Sequence, residues 1–115
     1  MPIVKYTDMK LRDVTMDGVK GASKANVIGP DQGWDNHTMR VFRLEPGGFT
    51  PRHQHDWEHI NHVIQGRGRL RIGDTIHDLS EKDFAFVPPN TEHQFENPHS
   101  EPFEFICIVP NRGAY

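Results

Sequence analysis

Apolar and polar residues alternate over short stretches of this chain, and Gly, Pro, Asp and Asn cut the stretches at roughly ten-residue intervals. A period of two marks strands that bury one face. Lys20 to Ile28 and Thr38 to Leu44 are the first such strands, separated by Gly29-Pro30-Asp31-Gln32-Gly33. In the second, Thr38, Arg40, Phe42 and Leu44 share one side while Met39 and Val41 share the other, and Glu45-Pro46-Gly47-Gly48 is expected to end it. Further strands are predicted at Ile60 to Ile64, Arg69 to Ile72, Thr75 to Leu79 and His93 to Glu96. Phe84 to Val87 is expected as a buried strand, and Phe103 to Val109 as a last one with both faces apolar. Residues 1 to about 20 lack helical spacing and are expected to be extended, with turns near Asp8 and Asp17-Gly18. Turns at this spacing predict an all-β sandwich or barrel.

Composition narrows the picture. A chain of 115 residues is expected to be one domain, residues 1–115, because it is too short for two cores of normal size. Thirteen basic against sixteen acidic residues, with no basic stripe, argue against a nucleic-acid partner. No apolar run approaches the ~20 residues of a membrane span, and the first residues lack a signal-peptide pattern. The one cysteine, Cys107, lies in an apolar run, as a reduced thiol would, and a cytoplasmic location is expected.

Four histidines then change the question from fold to chemistry. His53 and His55, two apart, project to the same face of an extended segment, where two imidazoles can reach one ion. His59 can join them if the chain bends at Asp56-Trp57, and His93 can arrive on a neighbouring antiparallel strand. Spacing alone is weak evidence, since a triple at 0, +2 and +6 arises by chance in roughly 3% of chains this rich in histidine. His37, His62, His77 and His99 have no partner at ligand spacing and read as ordinary surface or core residues.

The context of the cluster supplies more. Gly47-x5-His53-x-His55-x3-His59-x6-Gly66 resembles the first motif of the cupin superfamily, with His59 where glutamate is usual. Pro88-x-Asn90-x2-His93-x3-Asn97 resembles the second, with Asn90 and Lys82 standing at positions that are glycine in the family. The motifs cover about residues 47–66 and 82–97, and the likeness runs from about Lys20 to Arg112. It is closest to small bacterial single-domain cupins that bind manganese through four histidines, which share words such as MRVF, EPGG and the FVPPNTEH run. The resemblance implies a double-stranded β-helix barrel, a metal held by His53, His55, His59 and His93, and a homodimer whose N-terminal strands pack on the partner's sheet.

Four neutral imidazoles would leave the charge of a divalent ion uncompensated and favour an anionic or oxygen-rich small-molecule ligand. In octahedral geometry they also leave two positions open, which suits a metal-dependent oxygenase-like or other redox enzyme. Manganese or iron follows from the resemblance, while imidazole ligands also suit zinc, nickel or copper. Arg40, Phe42, Phe95, Phe105 and Cys107 are the candidate cavity residues, with Trp57 near the mouth. Two rivals stay open at this stage. One is a non-enzymatic module that binds a sugar or other small molecule. The other is a zinc peptidase, because His55-Asp56-Trp57-Glu58-His59 matches H-x-x-E-H with Glu58 as base.

Overall fold

The computed structural model describes residues 3–114. Its strands are β1 (Arg12–Asp13), β2 (Lys20–Ile28), β3 (His37–Phe49), β4 (His59–Gln65), β5 (Gly68–Ile72), β6 (Thr75–Leu79), β7 (Phe84–Val87), β8 (His93–Glu96) and β9 (Phe103–Pro110). All pair antiparallel in one curled sheet of order β6-β5-β8-β3-β9-β4-β7, with β2 on β3 and β1 on β2. The result is the expected all-β jelly-roll barrel. Short 3₁₀ turns at Tyr6–Asp8 and Pro30–Gln32 and a helical turn α1 (Asn111–Ala114) complete it.

The N-terminal half of β3 lies between β2 and β9, and its last residue, Phe49, faces Glu96 of β8. One strand therefore belongs to both walls, which corrects the expectation that Glu45-Pro46-Gly47-Gly48 ends it. Ala22 faces Leu44 but Lys20 faces Phe49, so one residue of β2 opposes four of β3 in a bulge. Glycine is required at the bulge: a Cβ on Gly48 would come within 2.9 Å of the carbonyl oxygens of Glu45, Lys20 and Gly21. The bulge bends β3 and carries it from one wall to the other.

A second correction concerns β7, which was expected to be buried. It pairs only with β4, and Phe84 and Phe86 are 75% and 55% exposed while Val87 is buried. As an edge strand it turns Ala85 and Val87 inward and Phe84 and Phe86 out, where Phe84 stacks on His62.

The apolar core fills one end of the barrel, around Leu44, Val63, Leu70, Phe103 and Phe105, each at most 1% exposed. Outside that end the Tyr6 hydroxyl donates to the buried Glu104 carboxylate, which also pairs with Arg43 at 2.8 Å, so the N-terminal segment is tied to its own sheet. Among the described residues no helix is long and apolar enough to cross a membrane.

Candidate metal centre

The opposite end of the barrel interior is polar. His59 opens β4 and His93 opens β8, while His53 pairs with His93 across a two-hydrogen-bond bridge of 3.2 and 2.9 Å. His55 enters just before the bend at Asp56-Trp57 that the spacing required. One potential ligand atom each from His53, His55 and His93 lies within 4.8 Å of the others, so these three are positioned to bind a metal. His59 adds its ring beside them: its Nε2 lies 3.2 Å from Nε2 of His93, and its ring centroid lies 5.5 Å from that of His55.

Hydrogen bonds behind the rings decide which nitrogens face inward. Nδ1 of His93 meets the Thr91 carbonyl at 2.9 Å, Nδ1 of His55 meets the Trp57 carbonyl at 2.8 Å, and Nδ1 of His59 meets Oδ1 of Asn61 at 2.7 Å. Carbonyl oxygens only accept, so each Nδ1 carries the proton and each Nε2 keeps a lone pair. Asn61 is itself fixed because its amide nitrogen donates to the Ile106 carbonyl at 3.2 Å. The 3.2 Å contact of His59 with His93 thus sets two lone pairs against each other, a repulsion that a cation between them converts to attraction. The donor set fits an imidazole-bound divalent ion.

Burial keeps these rings neutral. It is the largest cause of the fall of the His53, His59 and His93 pKa values to about 4, with neighbouring imidazoles adding to it at His53 and His93. At His55 burial also lowers the pKa, against the Trp57 carbonyl, which raises it. Neutral imidazole is the form that ligates metal.

The rings form one end of a cavity of about 140 Å³. Arg40, Phe42, Phe95, Phe105 and Cys107 all line it, as do Trp57 and, unforeseen in the sequence, Lys24, Thr50, Met16 and Gly113. Arg40 is only 9% exposed; its Nη2 donates to Cys107 Sγ at 3.1 Å and its guanidinium carbon lies 4.8 Å from the centre of the Phe42 ring. Phe42 stacks on Phe105 and Phe105 on Phe95. At the mouth Arg112 of α1 pairs with Asp56 and lies over Trp57, and a Cβ on Gly113 would strike the indole at 2.4 Å.

Residues 55–59 form a bend and the start of a strand, which removes the helix that an H-x-x-E-H peptidase needs, and Glu58 is absent from the cavity wall. Asn61 was missed, although its place two residues after His59 on one strand puts both on one face. Lys24 enters because β2 pairs with β3 in the register Lys24 opposite Phe42.

A closed antiparallel barrel with three histidines positioned inside one end to bind a metal defines the class of protein. The chain belongs to the cupin family, whose domain model, described as Cupin domain, matches residues 40–109. It is 36% identical over 94 residues to a mannose-1-phosphate guanylyltransferase of Salmonella typhimurium, covering 80% of this chain and 18% of the relative. It is 30% identical over 71 residues to a 1-methylthio-D-xylulose 5-phosphate methylsulfurylase of Rhodospirillum rubrum, covering 62% of this chain and 46% of the relative. The chain thus spans less than half of the length of either. Among solved structures it is similar to the polyketide cyclase RemF of Streptomyces resistomycificus, with 28% identity, a TM-score of 0.88, and coverage of 96% of this chain and 79% of the other.

Proposed function

We propose that this chain is a metal-dependent enzyme of oxygenase-like or other redox type acting on a small oxygen-rich or anionic molecule. His53, His55, His59 and His93 together hold one divalent ion, manganese or iron in preference to zinc, nickel or copper. The 3.2 Å approach of two lone-pair nitrogens inside a cavity carries this reading, because a cation is what makes that contact favourable. When bound, the ion would supply Lewis acidity and, as manganese or iron, a redox couple.

The chain's own residues do the rest. Trp57, Asn61 and Thr91 orient His55, His59 and His93 through Nδ1. The Phe42, Phe95 and Phe105 rings keep water from the space beside the cluster, and Arg40 gives that space a positive charge. The methylsulfurylase relative acts on a xylulose 5-phosphate, an oxygen-rich anion, which supports the substrate class. The exposed strip of Phe84, Phe86 and Ile60 supports a homodimer, which sedimentation velocity checks, and the free, buried thiol of Cys107 supports a cytoplasmic location.

Elemental analysis of tag-free protein tests the metal: about one equivalent is expected, and His55→Ala should lower occupancy more than about tenfold while the thermal transition of the barrel persists. Unchanged occupancy would overturn the ligand assignment. Turnover of β-diketones, flavonols and peroxide-dependent substrates tests the chemistry, and binding without product would replace the enzyme by a small-molecule binding module.

A further inference from the structure

The cavity wall carries two cations and no anion. Arg40 and Lys24 line it, no Asp or Glu does, and among the described residues neither cation takes part in an ion pair. Cys107, which accepts from the Arg40 side chain, gives no compensating charge, because burial raises its pKa and holds it as the thiol. Nε of Arg40 is buried without any partner. A guanidinium nine-tenths buried, with a free N–H and no counter-ion, is an expensive arrangement unless something else completes it.

The register explains why the two charges meet. Arg40 faces Cys107, Phe42 faces Phe105, and Lys24 faces Phe42, so all of them stand on the inward side of adjacent strands. Lys24 is half-buried, and its pKa is lowered first by burial and then by Arg40. An aromatic ladder lines the cavity beneath both groups: Arg40 over Phe42, Phe42 on Phe105 at 5.5 Å, Phe105 on Phe95 at 4.1 Å, and Phe95 at 6.3 Å from His59, while Arg40 itself stands close enough to His53, His55 and His59 to lower their pKa values.

We propose that Arg40 and Lys24 form an anion subsite for the carboxylate of a small organic acid whose flat or unsaturated body lies along the Phe42, Phe105 and Phe95 rings and whose other end faces the histidine cluster. The inference deepens the metal-enzyme reading and rests on it for what that far end meets. The cavity, at about 140 Å³, is close to the roughly 150 Å³ that accommodates benzene in an apolar protein interior, so the body is about one ring in size. The planar guanidinium edge matches a carboxylate.

Calorimetric titration with benzoate, its neutral isostere benzamide and inorganic phosphate tests this on metal-loaded and metal-stripped protein. Benzoate is expected to bind both forms, about tenfold or more tighter than benzamide. Arg40→Gln should lower benzoate affinity by about tenfold or more and leave benzamide within about twofold, Arg40→Lys should restore part of the loss, and Lys24→Gln should cost about threefold. Equal affinity for benzoate and benzamide, or an unchanged Arg40→Gln, overturns the subsite. Benzoate bound only by the metal-loaded form also overturns it, by putting the carboxylate on the metal, and leaves the metal centre intact. Phosphate outcompeting benzoate overturns the carboxylate assignment. Protein that takes up no metal yet binds benzoate through Arg40 supports the subsite and removes the metal-enzyme reading instead. Should Arg40→Gln fail to fold, Lys24→Gln with the benzoate and benzamide pair decides.

Discussion

The closed end of the barrel and its histidine-bearing end share β3, β4, β8 and β9, yet they are held together differently. At the closed end Leu44, Leu70 and Phe103 are 0–1% exposed and their side chains pack in the apolar cluster, so their stability comes from non-directional burial. At the other end His59 and His93 are each 3% exposed, nearly as buried, but each is held by a directed hydrogen bond to one oxygen. The lesson is that equal burial buys fold at one end and orientation at the other. Damage at the first should therefore cost stability, and damage at the second should cost binding.

Phe103→Ala should break the comparison most severely, costing about 3–5 kcal/mol by emptying a filled core site while metal per folded molecule stays unchanged. Chemical denaturation with parallel metal analysis checks it. Acid should reach the polar end through its imidazoles, where charging them costs stability as well as metal binding. Unfolded imidazoles titrate near pH 6.5 and those of His53, His59 and His93 near 4, so between these values the unfolded chain binds more protons. Metal-free protein should be fully stable above about pH 6.5 and lose on the order of 6 kcal/mol as pH falls to about 4, roughly 3 from each of His59 and His93, with His53 adding less because it is partly exposed and screened. A flat stability profile over that window would show that the rings titrate normally. Asn61→Ala should lower metal affinity by about 10–100-fold with a smaller effect on folding, as measured by competition with a chelator. The mildest change, Lys82→Gly, should add about 0.5–1 kcal/mol to the folding free energy and leave metal affinity alone, since Lys82 sits at a positive φ of 76°.

That last residue also shows how far the sequence could be read. Lys82 and Asn90 stand where the family pattern has glycine, and both adopt left-handed backbone, with φ of 76° and 58°. Strand existence and the shared face of Arg40 and Phe42 were legible because each is a local period, whereas the inward direction of Arg40 was open in the sequence and the arrival of His93 beside His53 and His55 came from the family likeness, not from spacing. Three features were not legible. Pro46, Gly47 and Gly48 signal a stop when read locally, but the pairing of β2 with β3 absorbs them as a bulge. Phe84 to Val87 has no period, so only its place at the sheet edge decides which two residues face water. Lys24 joins the cavity through a cross-strand register that no window of sequence contains, whereas Asn61 could have been found by stepping two residues along the strand from His59.

The grip of α1 on the mouth has a practical consequence. Arg112 holds Asp56, and Gly113 lies flat against Trp57, so foreign chain introduced next to α1 would lie beside the loop bearing His53 and His55. A polyhistidine handle placed there would offer foreign imidazoles to the same ion and confuse any stoichiometry. One placed ahead of Tyr6 would start beside Glu104, on the outside of the barrel at its far end, and makes the safer preparation.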